Sequence, residues 1–111
     1  RPRIAYRSAD PSGLGLAWCD TNCTSGASAW QSRVVERSTQ LDADYPIPPP
    51  ARCVVGAVSG WLGGLTPSLV IDSAGRALIG YDADHSYASA NCRPNRDAHA
   101  FRVLVGVPVA P

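Results

Sequence analysis

The segment RPRIAY, Arg1 to Tyr6, returns as RALIGY, Arg76 to Tyr81, with Arg, Ile and Tyr in identical places at an offset of 75 residues (76 − 1). Further along, LAWCDTN (Leu16 to Asn22) aligns with ASANCRPN (Ala88 to Asn95) at the cysteines. Each copy closes on an apolar, strand-like run, AWQSRVVE (Ala29 to Glu36) and AFRVLVGV (Ala100 to Val107). One unit is therefore present twice, which predicts a repeating architecture.

The second copy shows what precedes the shared start. In PSLVIDSAGR, Ser68 to Asp72 reads as a strand, Ser73-Ala74-Gly75 as a tight turn in which glycine takes positive φ, and Ala77 to Tyr81 as the antiparallel partner. The first copy starts just after the position of that turn, without Met and without the leading strand. This predicts a processed chain or a piece of a longer one, and a first strand, Arg1 to Arg7, that takes a partner from elsewhere in the chain or from another chain. The chain divides into a first unit (1–37), a Pro/Gly-rich insertion with one strand (38–66) and a second unit (67–111).

Ten glycines and ten prolines spread along 111 residues oppose long helices, so the chain is expected to be all-β. With 45% apolar and 17% charged residues it has the means to fold rather than stay disordered. Ten arginines, no lysine and nine acids leave a net charge of +1, which excludes nucleic-acid or anionic-membrane binding by bulk charge. The four cysteines, Cys19, Cys23, Cys53 and Cys92, favour disulfides in an oxidising compartment, hence a secreted or cell-surface location. A polar turn, Asp20-Thr21-Asn22, brings Cys19 toward Cys23, which leaves Cys53 with Cys92; zinc would need a second close pair.

Residues Ser38 to Arg52 read as a loop ending in polyproline II, with a PxxP pattern at Pro46 and Pro49. The uncharged stretch from Cys53 to Ile71 is long enough to be weighed as a membrane span, but its glycines, Pro67 and the strand claimed by the repeat oppose that. The preferred reading is a strand at Cys53 to Val58, a turn around Gly63-Gly64, then the repeat's hairpin. No membrane span is expected.

The segment PSLVIDSAGRALIGYD followed by a cysteine-bearing hairpin resembles the blade repeats of bacterial secreted β-propellers of the sialidase-like, Asp-box-related type. Asp-boxes of sialidases usually read S-x-D-x-G-x-T-W; here Asp72-Ser73-Ala74-Gly75 is one residue longer and the closing Trp is absent, so the resemblance is to a looser relative. It implies antiparallel blades in a secreted or surface protein. Since a closed propeller takes about four or more blades, two units imply association with other chains or with further copies.

That resemblance implies a structural or interaction module, with a carbohydrate-binding module as one alternative and a fragment of a sialidase-like hydrolase as another. Trp18, Trp30, Trp61 and Tyr87 are the candidate contact residues, because a flat apolar ring with a polar edge suits sugar stacking. Trp61, between glycines in an expected turn, is the one least explained as core; Trp18 and Trp30 flank the cysteine hairpin and could simply cover it. Asp82 and Asp84 alternate after a strand, a pattern that suits calcium, although turns also favour Asp. His85 and His99 allow a nucleophilic triad on paper, but no G-x-S-x-G elbow occurs, and no catalytic residue is assigned.

Overall fold

A computed structural model of the chain describes residues 2–46, 59–87 and 98–109. Among the described residues, six strands form two three-stranded antiparallel sheets. In the first sheet β1 (Arg3–Ala9), β2 (Ser12–Trp18) and β3 (Gln31–Arg37) lie in the order β1-β2-β3; in the second, β4 (Ser59–Ile71), β5 (Arg76–Tyr87) and β6 (Ala98–Pro108) lie in the order β4-β5-β6. A seven-residue helix, α1 (Ser38–Asp44), follows β3 directly. Among the described residues no helix is long and apolar enough to cross a membrane.

Alternation sets which way each strand faces. Along β5, Ala77, Ile79, Tyr81, Ala83 and His85 are buried while Leu78, Asp82 and Asp84 are exposed, the two-residue period of a half-covered strand. In β2, Leu14, Leu16 and Trp18 turn to the same core, which Leu41 of α1 completes. Leu14, Leu16, Leu41, Ile79 and Tyr81 are fully buried, each worth about 1.5–3 kcal/mol of apolar transfer. The inner faces of the two sheets thus share one core, and each keeps an opposite face outward.

The expected hairpin is present. Ile71 pairs with Ala77, and the Asp72 carboxylate accepts hydrogen bonds from the amides of Ala74 and Arg76, each 2.9 Å, while Gly75 sits at φ 78°. The side chain replaces backbone partners that the turn would leave unmet, which is why Asp opens it. The partner expected for the first strand comes from within the chain: β1 pairs with β2 from Arg3↔Trp18 to Ala9↔Ser12. β1 is an edge strand, whereas β5, which carries the matching sequence, is central in its sheet.

Two expectations are corrected. Gly63-Gly64 is not a turn; both lie inside β4, at a shift of register between Leu62 and Leu65. A Cβ on Gly63 would lie 2.8 Å from Leu41 Cδ1, and one on Gly64 2.2 Å from the Gly13 carbonyl oxygen. These glycines let β4 pass close to α1 and β2, and Gly64 holds φ 76° besides. The stretch from Ser38 is not a loop at its start but α1, held by tertiary contacts that a helix this short needs. Ser38 Oγ accepts from the Gly63 amide at 3.0 Å and shares a 2.9 Å hydrogen bond with Ser12 Oγ. The strand expected at Cys53 to Val58, Pro49 of the PxxP pattern and the Cys53 to Cys92 pairing lie outside the described residues.

The Gly75 position is open, with nothing within 4 Å of an added Cβ, so only its backbone conformation resists substitution. Gly75→Ala is expected to cost about 1 kcal/mol and Gly75→Asn clearly less, as read by urea unfolding. Equal costs would show that the turn does not hold its left-handed residue.

Candidate functional site

Two polar clusters and one apolar face have the features of a site. The first cluster lies where β3, α1, β5 and β6 meet. Glu36 leaves the inner face of β3 and takes a bidentate contact from Arg102 of β6, Nε to Oε1 at 2.5 Å and Nη2 to Oε2 at 2.8 Å. The Tyr81 hydroxyl donates to the same Oε1. Arg102 Nη2 also reaches Asp44 Oδ2 at 2.8 Å, its Nη1 donates to the Tyr45 hydroxyl at 3.1 Å, and the guanidinium lies 5.6 Å from the Tyr45 ring centroid. A fork of donors facing a fork of acceptors is the strongest pairing these side chains can make.

A tyrosine beside a carboxylate and an arginine has the residue types of a nucleophilic phenol, but the geometry serves another end. Tyr81 is fully buried. Burial, and then the hydrogen bond to Glu36, push its phenol far above the usual tyrosine range, so it is held protonated as a donor. The hydrogen bond to Glu36 likewise drives the Arg102 guanidinium further up. A cleft of about 350 Å³, lined by Val35, Glu36, Arg37, Thr39, Gln40 and Arg102, opens beside the pair; on its walls Glu36 and Arg102 hold each other and Gln40 donates to Asp44. The cluster is a clamp between the sheets.

The aromatic candidates are mostly structural. Trp61 is not an exposed turn residue: it lies in β4, is 8% exposed, donates from Nε1 to the Tyr45 carbonyl at 2.8 Å and packs edge-on against Tyr45 and His85. Its amide donates to Asp42 of α1 at 2.9 Å. Trp18 is buried in the core. Trp30 is half-buried and donates from Nε1 to the Cys23 carbonyl at 3.1 Å, closing over the Cys19–Cys23 disulfide, whose Cα atoms are 5.7 Å apart. The side chain of Tyr87 lies outside the described residues.

The second cluster is on the outer face of the second sheet. Asp82 accepts from Thr66 Oγ1 at 2.5 Å, and Asp84 pairs with His99 Nδ1 at 2.6 Å beside a depression of about 410 Å³. The two carboxylates expected to suit calcium are thus each engaged by a different neighbour, and among the described residues no group of three or more His, Cys, Asp and Glu side chains is placed to hold a metal ion.

What the sequence reading missed adjoins this cluster. Val70 (61% exposed), Leu78 (40%), Phe101 (66%), Val103 (51%) and Val105 (80%) are turned outward from β4, β5 and β6. Phe101 lies over Gly80, whose added Cβ would come within 2.7 Å of the ring. The sequence signal pointed the other way: Phe101, Val103, Val105 and Val107 form an all-apolar set alternating with Arg102, Leu104 and Gly106, a pattern that would send Phe101, Val103 and Val105 to the core, whereas the structure turns them outward. No family model, no curated protein and no solved structure matches the chain.

The clamp makes two measurable claims. Arg102→Met leaves Glu36 in the sheet interface without its cation and is expected to cost about 3 kcal/mol in urea unfolding, against about 1 kcal/mol for Tyr81→Phe. Equal effects would contradict the central place of the ion pair. Because the Tyr81 phenol is raised in the folded state, the unfolded chain gives up that proton first, at about pH 10. The stability this contributes is complete below that pH and declines as pH rises beyond it, and Tyr81→Phe should flatten the decline. An unchanged alkaline slope would show that Tyr81 is not held as described.

Proposed function

We propose that the chain is a structural and interaction module of a secreted or surface-exposed, propeller-like protein, and that its work is to associate with other protein chains or copies through sheet faces. The observation that carries this reading is the outer face of the second sheet. Five large apolar side chains on three adjacent strands, from 40% to 80% exposed, are the kind of contiguous patch that marks a contact surface. Scattered apolar residues would carry no such weight.

The rest of the molecule supports the same reading. The tryptophans with described side chains are buried, half-buried or hydrogen-bonded within the chain, which favours contact through sheet faces over an aromatic sugar platform. Of the two phenols at Arg102, Tyr81 is sealed in the interior and donates to Glu36, while Tyr45 accepts from Arg102, so both are engaged in the clamp, which favours a scaffold over a glycan hydrolase. The Cys19–Cys23 disulfide is compatible with an oxidising, extracellular setting. Twofold repetition in the sequence fits a protein built from stacked units.

Purified chain is expected to show concentration-dependent association by sedimentation velocity, and Val105→Lys, at the most exposed position of the patch, to return it to one chain per particle with a native circular dichroism spectrum. A wild-type protein that stays a single chain to millimolar concentration would refute association between copies.

A further inference from the structure

The two sheets expose different faces. On the first sheet, Ile4 and Tyr6 of β1 point away from the core, paired with Ala17 and Gly15 of β2; Ile4 is 47% exposed, and the Tyr6 ring lies over Gly15. These residues have sequence counterparts. Ile4 and Tyr6 hold the places in RPRIAY that Ile79 and Tyr81 hold in RALIGY. Ile79 and Tyr81 are fully buried, because the first sheet covers them. The same Ile-x-Tyr strand is therefore covered by a sheet in one unit and uncovered in the other.

We infer that the outer face of the first sheet of one copy of this chain packs on the outer face of the second sheet of another copy, head to tail. The stacking inside the chain favours this occupant. A sheet already covers the equivalent strand inside the chain, and the one strongly apolar sheet face left open among the described residues is that of Val70, Leu78, Phe101, Val103 and Val105. Within the chain the inner face of the first sheet lies on the Ile79 and Tyr81 face of the second, so the same stacking continued between copies sets the Ile4 and Tyr6 face against the outer face of the second sheet. Because the two faces differ, the contact is heterologous, and it propagates into a ring or a filament rather than stopping at a pair.

This inference rests on the contact-surface reading above, and a mixing experiment separates the two. Ile4→Lys blocks one face and Val105→Lys the other. Ser32→Arg and Val103→Lys serve as replacements if either variant fails to give a native circular dichroism spectrum. Each variant alone is expected to sediment as a single chain at concentrations where the wild type associates. An equimolar mixture is expected to form particles of two chains and no larger, since each variant retains the face the other lacks, with at least ten-fold tighter association than either variant alone. If Ile4→Lys associates like the wild type while Val105→Lys does not, the second sheet pairs with itself: head-to-tail packing is overturned and the contact surface stands. If the wild type and the mixture both remain single chains, association between copies is refuted and head-to-tail packing falls with it.

Discussion

Glu36 is the only glutamate in the chain, and its carboxylate sits between the two sheets with Arg102 and Tyr81 closing on it. A carboxylate in such a place is stable only with a cation and further donors, so once it is there the positions of β3, β5 and β6 relative to one another are constrained. Asp44 and Tyr45 add the end of α1 to the same arginine. One charged group thus ties together four elements that apolar contact alone would leave free to slide. Apolar burial supplies most of the attraction between the sheets; the clamp supplies the register.

Around that constraint, close packing is achieved by removing side chains. β4 passes close to α1 and β2 because Gly63 and Gly64 present no Cβ where one would strike Leu41 and the Gly13 carbonyl. Ser38 and Asp42 of α1 then accept the amides of Gly63 and Trp61, so the helix docks on β4 through hydrogen bonds as well as through Leu41. On the outer faces the same device recurs with aromatic rings, Tyr6 over Gly15 and Phe101 over Gly80. Each ring covers backbone that a side chain at the glycine would have occupied.

Local chemistry could be read from the sequence because its partners are a few residues apart. The Asp72 to Gly75 turn and the Cys19–Cys23 bridge were both expected, each closing over four or five residues with turn-forming types between. Glycine was harder. Gly63-Gly64 signals a turn and a close approach equally, and only the neighbours, Leu41 and Gly13, decide between them. Trp61 was misplaced for the same reason: set among glycines it reads as exposed, but Asp42 and the Tyr45 carbonyl, 19 and 16 residues away, draw it inward. The clamp was out of reach, since Glu36 and Arg102 stand 66 residues apart and nothing in either local sequence marks them as partners.

The sequence by itself determined that this chain is built of antiparallel strands and that its first two cysteines close a short loop. Those properties follow from alternation, turn chemistry and spacing, which act over a few residues. Tertiary structure decided which side of each strand is covered. Ile4 and Tyr6 repeat the pattern of Ile79 and Tyr81, yet one pair faces outward and the other forms the core. A strand's pattern specifies two faces but not which neighbour each will meet, and that depends on where the chain brings the second sheet and on the single carboxylate that holds it there.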